Sequence, residues 1–370
     1  MLNDWTTYIP LSFAISLAAT LLLMPQLLRL CKRRGIYDIP DPRKVHHGNI
    51  PRLGGVLFIP CMLLATAGVT VIKCGVGHAE KVMYNSSALL VLIGMFMLYL
   101  IGVLDDLFGM RATVKFGIQL MVSLFLPFCG LYMHNLYGLF GLYELPFWAG
   151  YPLTVFVSLL IVNAVNLIDG IDGLAGGLSL MALAAFCVLY YRKDILFYSL
   201  YCAALAGTVT GFLRFNLLGS AERGTKTFMG DTGSLTLGYA LAFLTIRYMM
   251  TSAGETPDST HPTAFVVPYT LVAVPCFDLA RVAVGRIIRR KGIFRPDKTH
   301  LHHKCMQAGF TMRQTLCLIL LLQAGTYLLN WLLLGTRCGT TAIVCADIAL
   351  YAAFTGWMAL RARSAKTSDK

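Results

Sequence analysis

Charged residues are scarce in this chain, and their scarcity excludes a soluble enzyme. Asp, Glu, Lys and Arg make up only 13% of the 370 residues, whereas 57% are hydrophobic, and the mean hydropathy is +0.67. A water-soluble domain carries far more charge on its surface. The composition therefore predicts an all-α, polytopic integral membrane protein.

Paired cysteine motifs, internal repeats and low-complexity runs are also missing. The eleven cysteines include no Cys-x-x-Cys pair and no spacing typical of a metal site, so we interpret them as small packing residues. No basic region precedes the first apolar run, which is longer than the core of a signal peptide. We expect that run to remain as a membrane helix.

Acidic residues are outnumbered by basic ones. The chain has 31 Lys and Arg against 18 Asp and Glu, which gives a net charge of +13. Such an excess can indicate nucleic-acid binding, but here the basic residues stand in short loops between apolar spans. Membrane orientation and anionic partners explain that placement better, so we predict no nucleic-acid partner.

Apolar windows long enough to cross a bilayer occur about eleven times. They cover residues 7–30, 53–73, 86–104, 114–132, 150–167, 174–191, 196–214, 232–250, 264–283, 313–334 and 340–360. Loops on one side of this topology hold 25 Lys and Arg, and loops on the other side hold six. The positive-inside rule then predicts an outside N-terminus and a cytoplasmic C-terminus. We expect one transmembrane catalytic domain over 1–363 and a short cytoplasmic tail over 364–370.

The most polar stretch, residues 166–177, interrupts two strongly apolar spans. Asn166, Asp169 and Asp172 advance three residues at a time, which at helical spacing places them within one arc of roughly 120°. Ionisable groups at the mouth of a membrane hairpin are costly, so a working site is the default hypothesis. The glycines between them leave room for close approach of backbone or phosphate.

Four further polar loops fall on the predicted cytoplasmic side, so we expect five loops to converge on one cytoplasmic cleft. The four are residues 38–47, the pair 105–106, the joined segments 214–216 and 228–234, and the segment 295–303. Carboxylates beside basic side chains suit Mg²⁺, which takes one or two carboxylates together with phosphate oxygens and waters. Asp231 is interpreted either as a metal ligand or as the N-cap of the following helix.

The other candidates also have a functional and a structural interpretation. Asp105 and Asp106 lie about 100° apart on a helix, so one can act as base or touch metal while the other orients it, unless both simply end a helix in solvent. Lys115 either neutralises a diphosphate or extends to the interface. Phe228 either stacks on a base or anchors the chain at the interface.

The histidine segment lacks the features of a zinc site. His300, His302 and His303 do not have the spacing of a helical zinc pair, and no thiol accompanies them. Arg295 and other basic residues stand close by in the sequence. We therefore favour phosphate binding over a solvated surface for these histidines.

In chain order, these motifs resemble those of the polyprenyl-phosphate N-acetylhexosamine-1-phosphate transferase superfamily, glycosyltransferase family 4. The matching segments are residues 51–55, 105–106, 166–174, 228–234 and 300–303. The resemblance implies a helical bundle in the bacterial inner membrane, with a cytoplasmic active-site cleft and a groove for lipid. It implies transfer of N-acetylhexosamine 1-phosphate from a UDP-sugar to undecaprenyl phosphate, with release of UMP. Mg²⁺ is the implied cofactor with Mn²⁺ as a substitute, and a homodimer is left open.

The same resemblance implies roles for single residues. Asp231 and Asn166 are implied as metal contacts. Four acids are implied as catalytic: Asp105, Asp106, Asp169 and Asp172. Asp105 resembles the base that deprotonates the lipid phosphate, and Asp106 supports it. Eight residues are implied to bind substrate: Lys115, Asn166, Asn216, Phe228, Arg295, His300, His302 and His303.

Two departures from the family pattern bear on the substrate. Many members that use N-acetylglucosamine carry a third acid three residues after the aspartate pair, where this chain has Gly109, so the role of that acid is not carried over. The muramoyl-pentapeptide branch typically has three consecutive histidines, whereas Leu301 interrupts them here. We therefore favour UDP-N-acetylglucosamine and the first membrane step of a surface glycan such as O-antigen. A phospho-N-acetylmuramoyl-pentapeptide transferase, which makes lipid I, is the alternative.

Two other protein classes fit the sequence less well. A CDP-alcohol phosphatidyltransferase has a similar Asp-Gly motif, but that motif continues with Ala-Arg where this chain has Gly176-Gly177. An ion-coupled transporter would place its acids near the midplane of several helices, whereas these acids cluster at one predicted surface.

Overall fold

A computed structural model describes residues 5–37, 50–75, 86–252, 262–290, 292 and 299–368. The described helices are α1 Trp5–Arg34, α2 Phe58–Gly75, α3 Ser86–Phe108, α4 Ala112–Phe128, α5 Phe147–Ile168, α6 Leu174–Arg192, α7 Leu196–Leu218, α8 Gly230–Ser252, α9 Thr263–Thr270, α10 Ala273–Ile288, α11 Leu301–Gln307, α12 Met312–Leu334 and α13 Thr340–Ser368. Two short strands, β1 Asn135–Leu139 and β2 Leu142–Glu144, form an antiparallel hairpin. The predicted polar loop 38–47 lies outside the described residues, as does Arg295.

The eleven predicted spans each overlap one or two of these helices, which confirms the all-α membrane architecture. Within the described ranges, eight helices are long and apolar enough to cross a membrane. α4 has only 17 residues, and the span predicted at 264–283 is divided between α9 and α10. The total of eleven spans and the side that each loop faces stay predictions.

Contacts group the chain into two compact units. The first unit holds Met1–Val122 and Ser179–Ala240, and the second holds Ser123–Leu178 and Leu241–Lys370. α4, α6 and α8 each contribute residues to both units. The expected single catalytic domain over 1–363 stays a prediction, as does the tail, whose first residues continue α13.

In the first unit, α1 and α7 pack closely through small residues. A Cβ on Gly207 would overlap the Ser16 hydroxyl, and one on Gly211 would lie 2.8 Å from Thr20 Cβ. Thr20 Oγ1 donates to Ser16 O at 2.8 Å, so the hydroxyl is satisfied within its own helix. Small interfacial residues let membrane helices approach closely and gain dispersion energy.

The same unit brings α3 against the start of α8. A Cβ on Gly102 would overlap the backbone of Thr232, and one on Gly94 would lie 2.8 Å from the Tyr239 hydroxyl. Two glycines spaced eight residues apart lie near one face of a helix, so α8 follows that face of α3. This packing carries the end of α3, with its two aspartates, to the N-terminus of α8.

In the second unit, the membrane segment predicted as one continuous span is broken between α9 and α10. Pro275 has no amide hydrogen to donate to Leu271 four residues earlier, and its ring clashes with that carbonyl. Gln323 of α12 bridges the break, since its Nε2 donates to Thr270 O at 2.7 Å and its Oε1 accepts from Val274 N at 3.2 Å. The break is therefore stabilised by a buried amide, which the prediction of a straight span missed.

A buried polar cluster joins three helices of the second unit. Asp347 of α13 accepts hydrogen bonds from the Tyr269 hydroxyl and, at 2.8 Å, from Asn330 Nδ2 of α12. Asn330 also donates to Thr270 Oγ1 at 2.7 Å. In a medium without water such groups must find partners within the protein, so the cluster ties α9, α12 and α13 together.

The hairpin β1–β2 was not predicted from the sequence. It is fastened to the start of α13, because Thr340 Oγ1 donates to Tyr137 O and Thr341 Oγ1 donates to Gly138 O at 3.2 Å. Phe140 N donates back to Thr341 Oγ1 at 2.6 Å. Its two strands have five and three residues, too short for an alternating pattern to stand out.

Candidate functional site

In the first unit, Lys115 lies between two carboxylates. Its Nζ is 2.6 Å from Asp105 Oδ2 and 3.0 Å from Asp231 Oδ1. Arg52 approaches Asp231 Oδ2 from another direction, at 3.9 Å. The side chains of Lys115 and Asp231 are 17% and 16% exposed, so this charged cluster is accessible yet largely desolvated.

Asp106 caps α8. Its Oδ1 accepts from Asp231 N at 2.8 Å, and its Oδ2 accepts from Thr232 N at 2.9 Å and from Thr232 Oγ1 at 2.7 Å. A carboxylate at a helix N-terminus satisfies orphan amides and complements the helix dipole. The two adjacent aspartates thus have different roles. Asp106, rather than Asp231, caps the first amides of α8.

Backbone hydrogen bonds join residues 51–55 to residues 227–229, the segment just before α8, which we call the strap. Phe228 N donates to Pro51 O at 2.8 Å, and Gly54 N and Gly55 N donate to Phe228 O and Met229 O at 3.0 and 2.9 Å. Asn216, only 4% exposed, donates its Nδ2 to Thr227 O at 2.9 Å. These contacts show that Asn216 holds the strap, and the substrate binding that the resemblance implied for it stays a prediction.

The donor set of the first unit fits a hard divalent cation shared with a substrate. Within the described part of the chain, no group of three or more His, Cys, Asp or Glu side chains could hold a metal by itself. Mg²⁺ needs only one or two protein carboxylates when phosphate oxygens and waters complete its shell. Asp231 supplies such a carboxylate at a helix N-terminus, where phosphate is also favoured.

In the second unit, the stretch that joins α5 to α6 is a turn. α5 ends at Ile168 and α6 begins at Leu174, and Gly173 has a φ of +79°. The prediction that Asn166, Asp169 and Asp172 advance along one helical face is therefore wrong. Gly170 and Gly173 interrupt the helix because glycine gains little from helical backbone and readily adopts positive φ. All three polar residues remain partly exposed.

The structure brings this turn together with the histidine segment. A Cβ on Gly170 would overlap the imidazole of His302, so that ring packs directly on the glycine backbone. His302 is 2% exposed, and its Nδ1 has no hydrogen-bond partner among the described residues. Burial, followed by the nearby His303 and His300, lowers the pKa of His302 to about 3. The burial of the ring against Gly170 gives His302 a packing role, and its predicted binding of substrate stays a prediction.

His300 is held differently, by an aspartate that the sequence analysis did not single out. His300 Nδ1 lies 2.8 Å from Asp278 Oδ2, and Leu301 N donates to Asp278 Oδ1 at 3.0 Å. Arg281 Nη2 and the Tyr351 hydroxyl donate to the same Oδ1 at 2.6 and 3.0 Å. The sequence did contain a signal for this aspartate. Asp278 and Arg281 stand three residues apart in an otherwise apolar span, where charged residues are candidates for a functional or paired role.

The predicted site residues are thus divided between the two units. The first unit holds Asp105, Asp106, Lys115, Asn216, Phe228 and Asp231, of which four meet around the start of α8. The second unit holds Asn166, Asp169, Asp172, His300, His302 and His303. In the second unit the histidine segment and the turn 169–173 are in contact.

Comparison with known families adds a description for the central part of the chain. Residues 88–249 match the family described as glycosyl transferase family 4. The matched range contains Asp105, Asp106, Lys115 and Asp231, together with the whole turn between α5 and α6.

Named relatives extend the similarity over most of the chain. A protein of Bacillus subtilis (strain 168), named probable undecaprenyl-phosphate N-acetylglucosaminyl 1-phosphate transferase, is 34% identical over 334 residues, which cover 87% of this chain and 84% of the relative. A protein of Escherichia coli (strain K12), named undecaprenyl-phosphate alpha-N-acetylglucosaminyl 1-phosphate transferase, is 32% identical over 80% of this chain and 76% of its own length. A Yersinia pestis protein of the same name is 32% identical over 78% and 74%.

Proposed function

The chain belongs to glycosyl transferase family 4, and from that membership we propose that it transfers N-acetylglucosamine 1-phosphate from UDP-N-acetylglucosamine to undecaprenyl phosphate. In this reaction an oxygen of the lipid phosphate attacks the β-phosphorus of the UDP-sugar. The bond from that phosphorus to the bridging oxygen breaks, and UMP leaves. The relatives' names support this choice of acceptor and sugar.

The observation that carries the proposal is the cluster of Asp105, Lys115 and Asp231. It combines a carboxylate that can take the proton of the lipid phosphate with a cation that can neutralise phosphate charge. Burial, followed by the nearby Asp231, raises the pKa of Asp105, which favours its uptake of a proton, and Lys115 at 2.6 Å partly opposes that rise. Phosphoryl transfer depends mainly on positioning and charge stabilisation, which such a cluster supplies.

We assign the metal role to Asp231. Its carboxylate would hold Mg²⁺, with Mn²⁺ as a substitute, and Arg52 at 3.9 Å adds positive charge on the other side. When bound, Mg²⁺ withdraws negative charge from the donor diphosphate. Asp106 supports this role by holding the amides of Asp231 and Thr232, which keeps the start of α8 in place.

The histidine segment is proposed to bind substrate phosphate through His300. Its ring is anchored at Nδ1 by Asp278, which leaves Nε2 as the other hydrogen-bonding atom. Arg281 fixes the backbone just before it, since Nη2 donates to Thr299 O at 2.6 Å. The interruption by Leu301, which is buried in α11, supports the N-acetylglucosamine branch over the muramoyl-pentapeptide branch.

This activity would be the first membrane step of a surface glycan such as O-antigen. The apolar helices make the chain a multi-pass membrane protein. We propose the bacterial inner membrane as its location, with the N-terminus outside and the C-terminus and active site in the cytoplasm, because 25 of the 31 basic residues stand in loops on one side of the predicted topology.

The test is release of UMP by the purified protein in detergent with undecaprenyl phosphate, UDP-N-acetylglucosamine and Mg²⁺. We expect UMP and a lipid-linked sugar diphosphate in equal amounts, and no UMP when lipid phosphate or Mg²⁺ is omitted. Asp231→Asn should abolish transfer, whereas Glu222→Gln, on an exposed loop of the same unit, should leave it unchanged. Full activity of Asp231→Asn at the same Mg²⁺ concentration would overturn the metal assignment.

The donor is tested by a parallel assay with three UDP-sugars. UDP-N-acetylglucosamine should be turned over faster than UDP-N-acetylgalactosamine, and UDP-N-acetylmuramoyl-pentapeptide should not react. Turnover of the pentapeptide alone would identify a lipid I synthase instead. Release of UMP from none of the three would contradict the proposed reaction as a whole.

A further inference from the structure

We propose that Asp278 is a positioning residue that fixes the tautomer and orientation of His300, so that Nε2 is the ring nitrogen offered to substrate phosphate. The positioning of the His300 ring by Asp278 concerns the structure alone, whereas the contact of Nε2 with substrate phosphate rests on the proposed function. A buried carboxylate that holds the Nδ1 proton of a histidine also stabilises the charge that the ring carries when Nε2 holds a proton. With Nδ1 already protonated, Nε2 carries a hydrogen only in the charged ring, and that form donates a charge-assisted hydrogen bond to a phosphate oxygen.

Asp278 is built to remain an ionised carboxylate. It is 1% exposed, yet four groups donate to it: Arg281 Nη2, Leu301 N, the Tyr351 hydroxyl and His300 Nδ1. Because an ionised carboxylate can only accept hydrogen bonds, the proton shared with His300 belongs to Nδ1. The guanidinium of Arg281 compensates the buried negative charge.

The hydrogen bonds also fix the chain on both sides of His300. Leu301 N, just after the histidine, donates to Asp278, and Thr299 O, just before it, accepts from Arg281 Nη2 at 2.6 Å. Arg281 Nε donates to the Tyr351 hydroxyl of α13 at 3.2 Å, which locks the guanidinium in place. His300 is therefore held by side chain and backbone to Asp278 and Arg281 of α10, which Tyr351 of α13 holds in turn, so its ring has little freedom to turn.

The hydrogen bonds around Asp278 allow a substitution that changes the tautomer of His300 without changing the shape of the site. Three of the four donors, from Arg281, Leu301 and Tyr351, point at Oδ1. In Asp278→Asn these donors keep the amide oxygen at that position, so the new NH₂ group faces His300 Nδ1. A donor against Nδ1 forces that nitrogen to become an acceptor, and the proton moves to Nε2. The variant thus keeps the shape of the site but reverses the tautomer and removes the charge.

The first experiment is a double-mutant cycle of transfer rates in the full-length protein. Asp278→Asn should lower the transfer rate by about 10- to 100-fold, as is typical of groups that orient a histidine. In a His300→Ala background the same substitution should change the rate by less than about twofold, because contacting residues that act through one another are not additive. Asp347→Asn is the matched control, since Asp347 is equally buried in the same unit and should leave the rate unchanged in both backgrounds. Equal losses from Asp278→Asn in both backgrounds would show a merely structural role and overturn the proposal.

The second experiment reads the tautomer without any enzyme assay. In protein labelled with ¹⁵N-histidine, the His300 signals are assigned by their loss in His300→Ala. We expect a protonated Nδ1 in the wild-type protein and an unprotonated Nδ1 in Asp278→Asn. An unprotonated Nδ1 in the wild type, or no change in the variant, would overturn the proposal. If the tautomer behaves as expected while the wild type releases no UMP, the proposed function fails and the positioning of His300 by Asp278 stands.

Discussion

The imidazole of His302 packs on the backbone of Gly170, so the turn between α5 and α6 and the start of α11 share one contact surface. The two residues are more than a hundred positions apart in the chain, and each belongs to a motif that the sequence analysis selected for its chemistry. Their contact is steric. A glycine is needed at 170 because no side chain fits between its backbone and the ring.

The first prediction concerns that contact. Gly170→Ala should destabilise the protein by about 1–3 kcal/mol, because the added methyl group would overlap a buried ring. Thermal unfolding in detergent measures the effect. Gly117→Ala adds a methyl group on α4, at a position where no described residue outside the adjacent backbone of that helix lies within 4 Å; it is the control and should not lower the melting temperature. Adding His302→Ala should recover part of the loss, and a double variant as unstable as Gly170→Ala would disprove the clash.

The second prediction separates the two adjacent aspartates. Asp106→Ala should lower stability by about 1–2 kcal/mol, since two α8 amides and the Thr232 hydroxyl lose their acceptor. Asp106→Asn should be milder because one acceptor oxygen remains. Unfolding curves of both variants test whether stability decreases from the wild type to Asp106→Asn to Asp106→Ala. Glu222→Ala is the surface control. An Asp106→Ala protein as stable as the wild type would remove Asp106 from the capping role.

The third prediction concerns the cation between the carboxylates. Lys115→Met should lower the transfer rate by on the order of 100-fold, the typical effect of losing one group that stabilises developing charge. The same variant should reach half-maximal activity at a lower Mg²⁺ concentration, because Asp231 no longer shares its charge with the ammonium group. Arg223→Met, which removes an exposed cation from a loop of the same unit, should change neither quantity. A higher Mg²⁺ requirement in Lys115→Met would contradict the assignment.

The fourth prediction is the pH dependence that follows from the burial of His302. Its pKa is about 3 in the folded protein, against an ordinary value of 6.5. Below pH 6.5 the unfolded chain takes up a proton that the folded protein does not, so folding stability falls as the pH falls, by about 1.4 kcal/mol per pH unit. His302→Gln should lose that part of the slope between pH 6 and pH 5, while above about pH 7 the difference between the two proteins should be constant. If the stability of the wild type and of His302→Gln changes in parallel over the whole pH range, the pKa of His302 lies near its ordinary value and the prediction is wrong.

Much of the fold could be predicted because apolar length and the position of polar loops are local properties. The predicted span 174–191 differs from α6 by one residue at one end, and 313–334 differs from α12 by one residue. The placement of Asp231 at the start of a helix was also correct, since Gly230 and the apolar run that follows mark that start. In hydrocarbon the backbone polar groups must be satisfied within the protein, which favours long apolar helices, so composition locates most of them.

The errors occurred where long-range contacts decide the local conformation. The break at Leu271–Val272 depends on Gln323, some fifty residues further along the chain, as well as on Pro275. The prediction of helical spacing through Asp169 was wrong for a local reason, because Gly170 and Gly173 favour a turn there. Asp278 was overlooked because its four partners are Arg281 of α10, His300 just before α11, Leu301 at the start of α11, and Tyr351 of α13.

The sequence by itself determined that the chain is a helical membrane protein, where most of its long helices lie, and which chemical groups stand at their ends. Apolar content and motif order carry that information, because burial in hydrocarbon and helix capping act over a few residues. Only the tertiary structure decided which of two adjacent aspartates meets Lys115, which histidine is held by a buried carboxylate, and which one packs on a glycine. Those outcomes depend on distances between helices remote in the chain, and no local pattern specifies them.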